Sequence, residues 1–225
     1  MQSGPKRAEL GVIHVISLKR AADRRQNLEL QFSRTHWVPE IIDAVDGREL
    51  SEDPAKPEAV WESGKIARGI DMFETHAARF GSIGCALSHI RSFETMRDRG
   101  TPWTLVLEDD FEFCAPVPDA LDVQDGADVV AMDTRVYRKG VGTMAMAYSQ
   151  KAAQHILSCL PMSAVIDAWI LGQCYGVINR VAVPHSPDRP LKIDTETYLG
   201  DPFVRASGYI PDGESQSVGM RSYLR

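Results

Sequence analysis

Three carboxylates directly follow a strand-length apolar run, and this junction constrains the fold more than any other feature of the sequence. Residues 103–107 (WTLVL) predict a buried strand, and the acidic triplet Glu108, Asp109 and Asp110 comes next. Because side chains alternate along an extended segment, Glu108 and Asp110 should point one way and Asp109 the other. Ligands of open α/β sheets bind beyond the carboxyl ends of strands, so the triplet lies where a ligand site is expected.

Strand and helix patterns alternate in the segments before and after this junction. Residues 11–18 (GVIHVISL) predict a buried strand, and residues 20–35 predict a helix with Leu28 and Phe32 on its inner face. A strand followed by a helix near the N-terminus indicates an α/β sheet. Further strands are predicted over residues 41–45, 127–132 and 175–183, and a further helix over residues 149–160 with Ser149 as its N-cap.

The clearest helix covers residues 82–99. One face of this helix is apolar and carries Ile83, Leu87, Ile90 and Phe93. Ser82 suits the N-cap position, and Gly100 suits the C-cap position. A helix that begins there would also bring the backbone N–H groups of residues 81–84 close to a bound phosphate.

The length of 225 residues predicts a single domain over residues 1–225. Its core is expected at about residues 11–183, because residues 184–225 form an irregular tail rich in Pro, Gly and Ser. Residues 51–80 are interrupted by Pro and Gly and predict an irregular excursion of the kind that often forms a lid or a binding loop.

Charge and composition exclude some function classes. A net charge of −6 argues against a general nucleic-acid-binding protein, which needs a basic face. The first ten residues lack the apolar region of a secretion signal, and no apolar run approaches the ~20 residues of a membrane helix. We therefore expect a cytoplasmic protein with at most peripheral membrane contact. The cysteines are scattered and are expected to be reduced, with Cys85 packed in the core.

The acidic triplet suits a divalent cation. Three adjacent negative charges repel one another, and a bound cation relieves that repulsion. Oxygen ligands favour Mg²⁺ or Mn²⁺, and such a cation can bridge diphosphate oxygens. The alternative interpretation of the triplet is a solvated acidic turn after a strand.

Three blocks of the sequence resemble glycosyltransferase family 25, which includes lipooligosaccharide galactosyltransferases and collagen galactosyltransferase domains. Residues 15–25 (VISLKRAADRR) are similar to the opening strand of the family, and residues 41–50 (IIDAVDGREL) are similar to its A-x-D-G block. The third block pairs residues 81–93 (GSIGCALSHIRSF) with residues 105–113 (LVLEDDFEF). The chain departs from the family pattern at Ser17, where the family usually has Asn, and it is short for the family.

The resemblance implies a single glycosyltransferase domain with a GT-A-like, Rossmann-like nucleotide-sugar-binding fold and a mixed sheet. The acidic triplet would then act as the D-x-D motif of that fold. Asp110 and Glu108 would be metal ligands, and Glu108 and Asp109 would face the donor. The implied reaction is an inverting, Mn²⁺- or Mg²⁺-assisted transfer from a nucleotide sugar, with UDP-galactose as the expected donor. The acceptor would be a glycan, a glycolipid as in lipopolysaccharide biosynthesis, or a natural product.

Further donor-binding candidates come from the same blocks. Arg24 could contact the nucleotide phosphates with Asp23 orienting it, or it could belong to a solvated helix surface. Asp46 and Gly47 either border the donor pocket or form an ordinary turn. Gly84, Ser88 and His89 belong to the predicted helix block, where the resemblance favours a donor site and the usual role of a helical histidine is structural.

The remaining candidates lie late in the chain. His185 is a possible third metal ligand, against the interpretation of a surface loop. An inverting transfer needs a base away from the triplet, and Asp167 is the first candidate because the aromatic Trp169 beside it suits a sugar and would raise its pKa. The alternative role for Asp167 is a helix N-cap. Asp133, which follows the strand predicted over residues 127–132, is the second candidate base.

Two other functions use the same residues. A metal-dependent nucleotide-sugar or phosphate hydrolase would cleave the donor with water and need no acceptor. A non-catalytic nucleotide- or glycan-binding relative would bind without turnover.

Overall fold

A computed structural model describes residues 6–51, 64–67, 76–123, 127–132, 143–167, 169–170, 181–184, 197–198 and 203–206. The strands in these segments are β1 (Lys6–Glu9), β2 (Val12–Ser17), β3 (Glu40–Asp43), β4 (Trp103–Glu108), β5 (Phe111–Phe113), β6 (Ala120–Val123), β7 (Val129–Ala131), β8 (Ala145–Ser149), β9 (Val181–Pro184), β10 (Thr197–Tyr198) and β11 (Val204–Ala206). The helices are α1 (Ala22–Phe32), α2 (His76–Arg99) and α3 (Gln150–Ser158), with a 3-10 helix at Gly47–Glu49.

A mixed sheet forms the centre of the molecule. Within the described segments it has seven strands in the order β10-β9-β7-β8-β4-β2-β3. Strand β8 runs antiparallel to both of its neighbours, and the other adjacent pairs are parallel. The carboxyl ends of β2, β3, β4 and β7 therefore share one edge with the amino end of β8. We call this edge the carboxyl edge of the sheet.

Helices cover both faces of the sheet. Helices α2 and α3 pack on one face, where Ile90 and Ile156 join Val106 in a buried cluster. Helix α1 and the two-stranded sheets β1–β6 and β5–β11 pack on the other face, where Leu28 and Phe32 join a second buried cluster with Leu105 and Leu107. Neighbouring residues of β4 thus belong to opposite cores, as the period of a strand requires.

Most of the predicted elements are present. The strands predicted over residues 11–18, 41–45, 103–107 and 127–132 correspond to β2, β3, β4 and β7, and the helix predicted over residues 20–35 corresponds to α1. Ser149 caps α3 by accepting a hydrogen bond from the backbone N–H of Ala152, and Gly100 ends α2 with a φ of +67°. Strand β8 was not predicted, because all five of its residues are buried and it lacks alternation.

The predicted start of α2 is wrong. The helix begins at His76 instead of following an N-cap at Ser82, so Gly81 and Gly84 lie within it. Backbone N–H groups inside a helix are engaged by the carbonyl groups four residues earlier. A phosphate site on the N–H groups of residues 81–84 is therefore excluded. None of the helices in the described part of the chain is long and apolar enough to cross a membrane.

The glycines of this block allow a backbone-to-backbone contact between α2 and the loop after β3. A Cβ atom on Gly84 would lie 2.6 Å from the carbonyl oxygen of Val45, and one on Gly47 would lie 2.5 Å from the carbonyl oxygen of Phe80. Ser88 reinforces the contact: its Oγ accepts a 2.8 Å hydrogen bond from the backbone N–H of Val45 and donates one to the carbonyl of Gly84. Gly47, Gly84 and Ser88 thus form a joint between α2 and this loop.

We predict that Gly84→Ala destabilises the protein by about 1–3 kcal/mol, the usual cost of overpacking. In a helix without such a contact, replacing Gly by Ala stabilises by about 1 kcal/mol, so the sign of the effect tests the joint. Chemical denaturation gives the free energy of unfolding. Asp98→Ala, at an exposed position of the same helix, serves as the control and should change stability by less than about 0.5 kcal/mol. A Gly84→Ala variant as stable as the parent would contradict the packing described here.

Candidate functional site

The acidic triplet lies at the carboxyl edge, and its side chains separate to the two faces of the sheet. Glu108 points toward α2: its Oε1 lies 3.2 Å from Nε2 of His89 and accepts a 2.6 Å hydrogen bond from Oγ1 of Thr143. Asp109 points toward α1 and accepts a 2.6 Å hydrogen bond from Nη1 of Arg24. The predicted alternation of these two residues is confirmed.

Arg24 and Asp109 form a buried ion pair. Their exposed fractions are 7% and 4%. The sequence suggested that Asp23 would orient Arg24. In the structure Arg24 binds the carboxylate of Asp109, which lies in the turn after β4, 85 positions further along the chain. A buried charge is expensive unless it is paired, so this contact fixes the acidic turn against α1.

Cys85 and His89 face Glu108 from one side of α2. They are four residues apart and therefore neighbours on the helix surface. A ligand atom of each, together with a carboxylate oxygen of Glu108, lies within 4.8 Å of the other two. The His89 ring is fully buried, and its Nδ1 has no hydrogen-bond partner among the described residues. Cys85 does pack against the core as predicted, but sequence reasoning missed that it also lies beside Glu108.

The environment of Cys85 shows that more carboxylates converge here. Burial raises the pKa of the Cys85 thiol well above its usual range, and the negative charges of Glu108, Asp167 and Asp110 raise it further. The end of β4 and the segment after α3 thus bring carboxylates to one region. Asp167, the first candidate base, thus acts on Cys85 together with Glu108 and Asp110.

Asp167 lies inside a helical segment. Residues 166, 167, 169 and 170 are helical, and the backbone N–H of Trp169 donates to the carbonyl of Val165. The N-cap interpretation of Asp167 is therefore wrong. Asp167 is 2% exposed, and Trp169 is 3% exposed within the core cluster of α2 and α3. The expectation that the Trp169 ring contacts a sugar is also wrong, because the side chain is buried in this cluster.

Asp46 organises the loop after β3. It caps the 3-10 helix by accepting a hydrogen bond from the backbone N–H of Arg48, and it pairs with Arg20. Partial burial alone would raise the pKa of Asp46, but the hydrogen bonds from Arg20 and Arg48 outweigh burial and lower the pKa. The turn interpretation of Asp46 and Gly47 is confirmed, and their place at the border of a donor pocket stays a prediction.

Sequence reasoning also missed Thr143, the residue that donates a hydrogen bond to Glu108. No motif marks Thr143, and only the antiparallel course of β8 brings it to the carboxyl edge. Two predicted site residues, Asp133 and His185, lie outside the described residues.

Comparison with known proteins identifies the family. Residues 11–127 match the sequence profile described as "Glycosyltransferase family 25 (LPS biosynthesis protein)". The chain belongs to glycosyltransferase family 25. The sequence blocks that resemble this family form the ends of β2 and β3, the middle of α2 and the acidic turn after β4.

Several family 25 proteins are similar to the chain. Procollagen galactosyltransferase 2 from Mus musculus is 27% identical over 169 residues, which are 75% of this chain and 26% of that protein. A glycosyltransferase 25 family member from Aedes aegypti is 35% identical over 108 residues, which are 47% of this chain and 17% of that protein. Inactive glycosyltransferase 25 family member 3 from Mus musculus is 32% identical over 102 residues, which are 45% of this chain and 17% of that protein. The chain thus spans about a quarter or less of the length of these relatives.

We predict that the family 25 acidic turn depends on the Arg24–Asp109 pair for its stability. Arg24→Met and Asp109→Asn should each reduce the free energy of unfolding by about 3–5 kcal/mol, because each removes one charge of a buried ion pair. The double variant should lose clearly less than the sum of the two single losses, because neither charge is then left alone.

Chemical denaturation of the four proteins measures this coupling. Arg34→Met, at an exposed position after α1, is the control and should change stability by less than about 0.5 kcal/mol. Additive losses from the two single substitutions would show that the pair does not hold the turn.

Proposed function

We propose that this family 25 chain is a GT-A-like glycosyltransferase that moves a sugar from a nucleotide-sugar donor to an acceptor hydroxyl. The observation that supports the proposal best is the convergence of Glu108, Asp110 and Asp167 around Cys85, at the carboxyl edge of a mixed sheet. This edge is where α/β sheets bind nucleotides. Because some relatives carry galactosyltransferase names, galactose from UDP-galactose is the proposed sugar.

The donor set of the acidic turn fits a hard divalent cation. Carboxylate oxygens are the ligands that Mg²⁺ and Mn²⁺ prefer, and Asp110 and Glu108 supply such oxygens. In the proposed role Asp110 and Glu108 would hold the cation. When bound, it would stabilise the charge that develops on the departing nucleoside diphosphate.

The protein's own contribution to this step is to hold the carboxylates in place. Arg24 binds Asp109 from the side of α1, so the turn cannot rotate without breaking a buried ion pair. Thr143 and His89 contact Glu108 from the other side. Preorganised charges of this kind stabilise a transition state without reorganising during the reaction.

The acceptor hydroxyl needs a base, and Asp167 is our first candidate. Its carboxylate lies in the same electrostatic region as Glu108 and Asp110 but comes from a different part of the chain. In the proposed inverting step, the acceptor oxygen forms the new bond to the anomeric carbon, the bond to the diphosphate breaks, and the hydroxyl proton passes to Asp167. Asp133 is the second candidate.

The acceptor is proposed only by class. The chain covers 26% of the procollagen galactosyltransferase that it resembles, so the acceptor named for that protein is not assigned to this chain. A glycan, a glycolipid such as a lipopolysaccharide precursor, or a natural product with a free hydroxyl group fits the proposed chemistry.

A second candidate function is donor binding without transfer. The similarity to a relative named inactive favours this alternative. The two functions separate in one assay: a transferase releases diphosphate faster when an acceptor is added, and a binding protein releases none with any acceptor. Diphosphate release that is fast without any acceptor would instead indicate a hydrolase.

We predict that UDP binds more tightly with Mn²⁺ or Mg²⁺ than without, since the cation bridges the diphosphate and the carboxylates. Asp110→Asn should remove this metal dependence and lower turnover by at least about 100-fold, the scale of losing one charge-stabilising group. Calorimetry with UDP, GDP and CMP measures binding, and released diphosphate measures turnover.

The control for this experiment is Asp122→Asn, which changes an exposed carboxylate of β6 and should leave both measurements unchanged. Equal UDP affinity with and without metal, or a preference for CMP, would refute the donor assignment. A parental rate in Asp110→Asn would refute the role of Asp110 as a metal ligand.

We predict that Asp167→Asn keeps UDP affinity and lowers turnover by about 100-fold or more, as expected for the loss of a general base. Thermal melting should stay close to that of the parent because the substitution is nearly isosteric. Turnover close to the parental rate would move the base to Asp133 or to another carboxylate.

A further inference from the structure

We propose that Cys85, His89 and Glu108 form a binding site for a thiophilic divalent cation of the zinc class. The site shares Glu108 with the oxygen-ligand site of the proposed function, but its other two ligands are a thiol and an imidazole. Nothing in the family resemblance requires such a ligand set. Zinc accepts sulfur, nitrogen and carboxylate oxygen ligands together in one tetrahedral site.

The positions of the ligand atoms support this site. The three atoms lie within 4.8 Å of one another. Two ligand atoms at zinc distances of about 2.0–2.1 Å and a tetrahedral angle are about 3.3 Å apart. The separation of His89 Nε2 from Glu108 Oε1 is 3.2 Å, so these two groups already have the spacing of a zinc pair.

The burial of His89 agrees with a ligand role. Its ring is fully buried beside the thiol and the carboxylate, and Nε2 is the ring atom that faces Glu108. A buried imidazole next to sulfur and carboxylate oxygen is a ligand that zinc accepts.

The local charge also favours a cation. Glu108 places a carboxylate oxygen within 4.8 Å of the Cys85 sulfur. Zinc binding would form a zinc–sulfur bond and release the thiol proton to solvent, and the cation would neutralise the charges of the thiolate and the carboxylate. Asp110 or a water molecule can complete the tetrahedron.

Helix α3 and the residue that follows it offer a matched control. His155 and Cys159 are also four residues apart, and the Cys159 sulfur lies 3.5 Å from Nε2 of His155. Among the described residues, however, no carboxylate completes a three-ligand group with them. A thiol and an imidazole at this spacing without a third ligand should bind zinc weakly.

The test uses the full chain, reduced and stripped of metal, without nucleotide. Co²⁺ is added as a spectroscopic probe, and Zn²⁺ affinity is measured by competition with a chromophoric chelator. We expect a thiolate-to-cobalt charge-transfer band that Zn²⁺ abolishes. Losing a residue that only hydrogen-bonds to a metal ligand already costs about 10–100-fold in metal affinity, so losing a direct ligand should cost at least as much. Cys85→Ser should therefore remove the band and weaken Zn²⁺ binding by at least about 100-fold, and Cys159→Ser should change neither.

His89→Gln separates a ligand role from a general effect of Cys85→Ser on folding. The His89→Gln variant keeps the thiol but should bind Zn²⁺ at least about tenfold more weakly. Thermal melting in metal-free buffer verifies that both variants are folded. The absence of a thiolate band in the parent chain, or equal Zn²⁺ affinity in Cys85→Ser and Cys159→Ser, would overturn the proposal.

The proposed zinc site and the proposed transferase function can each be disproved without affecting the other. The cobalt and zinc measurements need neither a donor nor an acceptor, so an inactive chain can still carry the site. Conversely, activity with Mn²⁺ does not require that zinc bind. Only the expected competition of the two cations for Glu108, seen as zinc inhibition of transfer, rests on the proposed function.

Discussion

The buried ion pair between Arg24 and Asp109 determines the geometry of the carboxyl edge. Two charges removed from water must stay in contact, because breaking a buried ion pair is strongly destabilising. This requirement docks the first turn of α1 on the end of β4 and sets the direction of Asp109. Glu108, one residue earlier, is then directed to the opposite face, where it contacts α2 and Thr143. The candidate site on the α2 side thus depends on an interaction made on the α1 side.

Much of the sheet could be predicted because the residue pattern of its strands is typical of buried β-strands. Strands β2 and β4 are rich in Val, Ile and Leu and are buried on both faces, and the alternation of the acidic triplet follows from strand geometry alone. Strand β8 has the same burial but is built from Ala, Met, Tyr and Ser, which give no clear β pattern. The start of α2 was misplaced for a related reason. Gly81 and Gly84 suggest a helix boundary, but Gly84 is required by close contact with a loop and not by the end of a helix.

The site was predicted less completely than the fold, since its contacts join residues far apart in the chain. The acidic triplet can be recognised from the sequence alone, and the family blocks indicate His89. By contrast, Arg24 was expected to bind a ligand, and only the structure shows the protein carboxylate that it binds. Thr143 has no sequence signal, because its place depends on the reversed direction of β8. Trp169 was assigned to a sugar because of its residue type, but a ring 3% exposed belongs to the core.

The joint between Gly47 and Gly84 has a consequence for how α2 and its neighbouring loop move. In most contacts between a helix and a loop, side chains lie between the two backbones, and a change of rotamer can loosen the contact. Here the backbones touch directly, with Ser88 bonded to both. The loop that carries Asp46 and the turn of helix that carries Cys85 must therefore shift together as one rigid body. A ligand that displaces one of them also displaces the other, although the two lie about 40 residues apart in the chain.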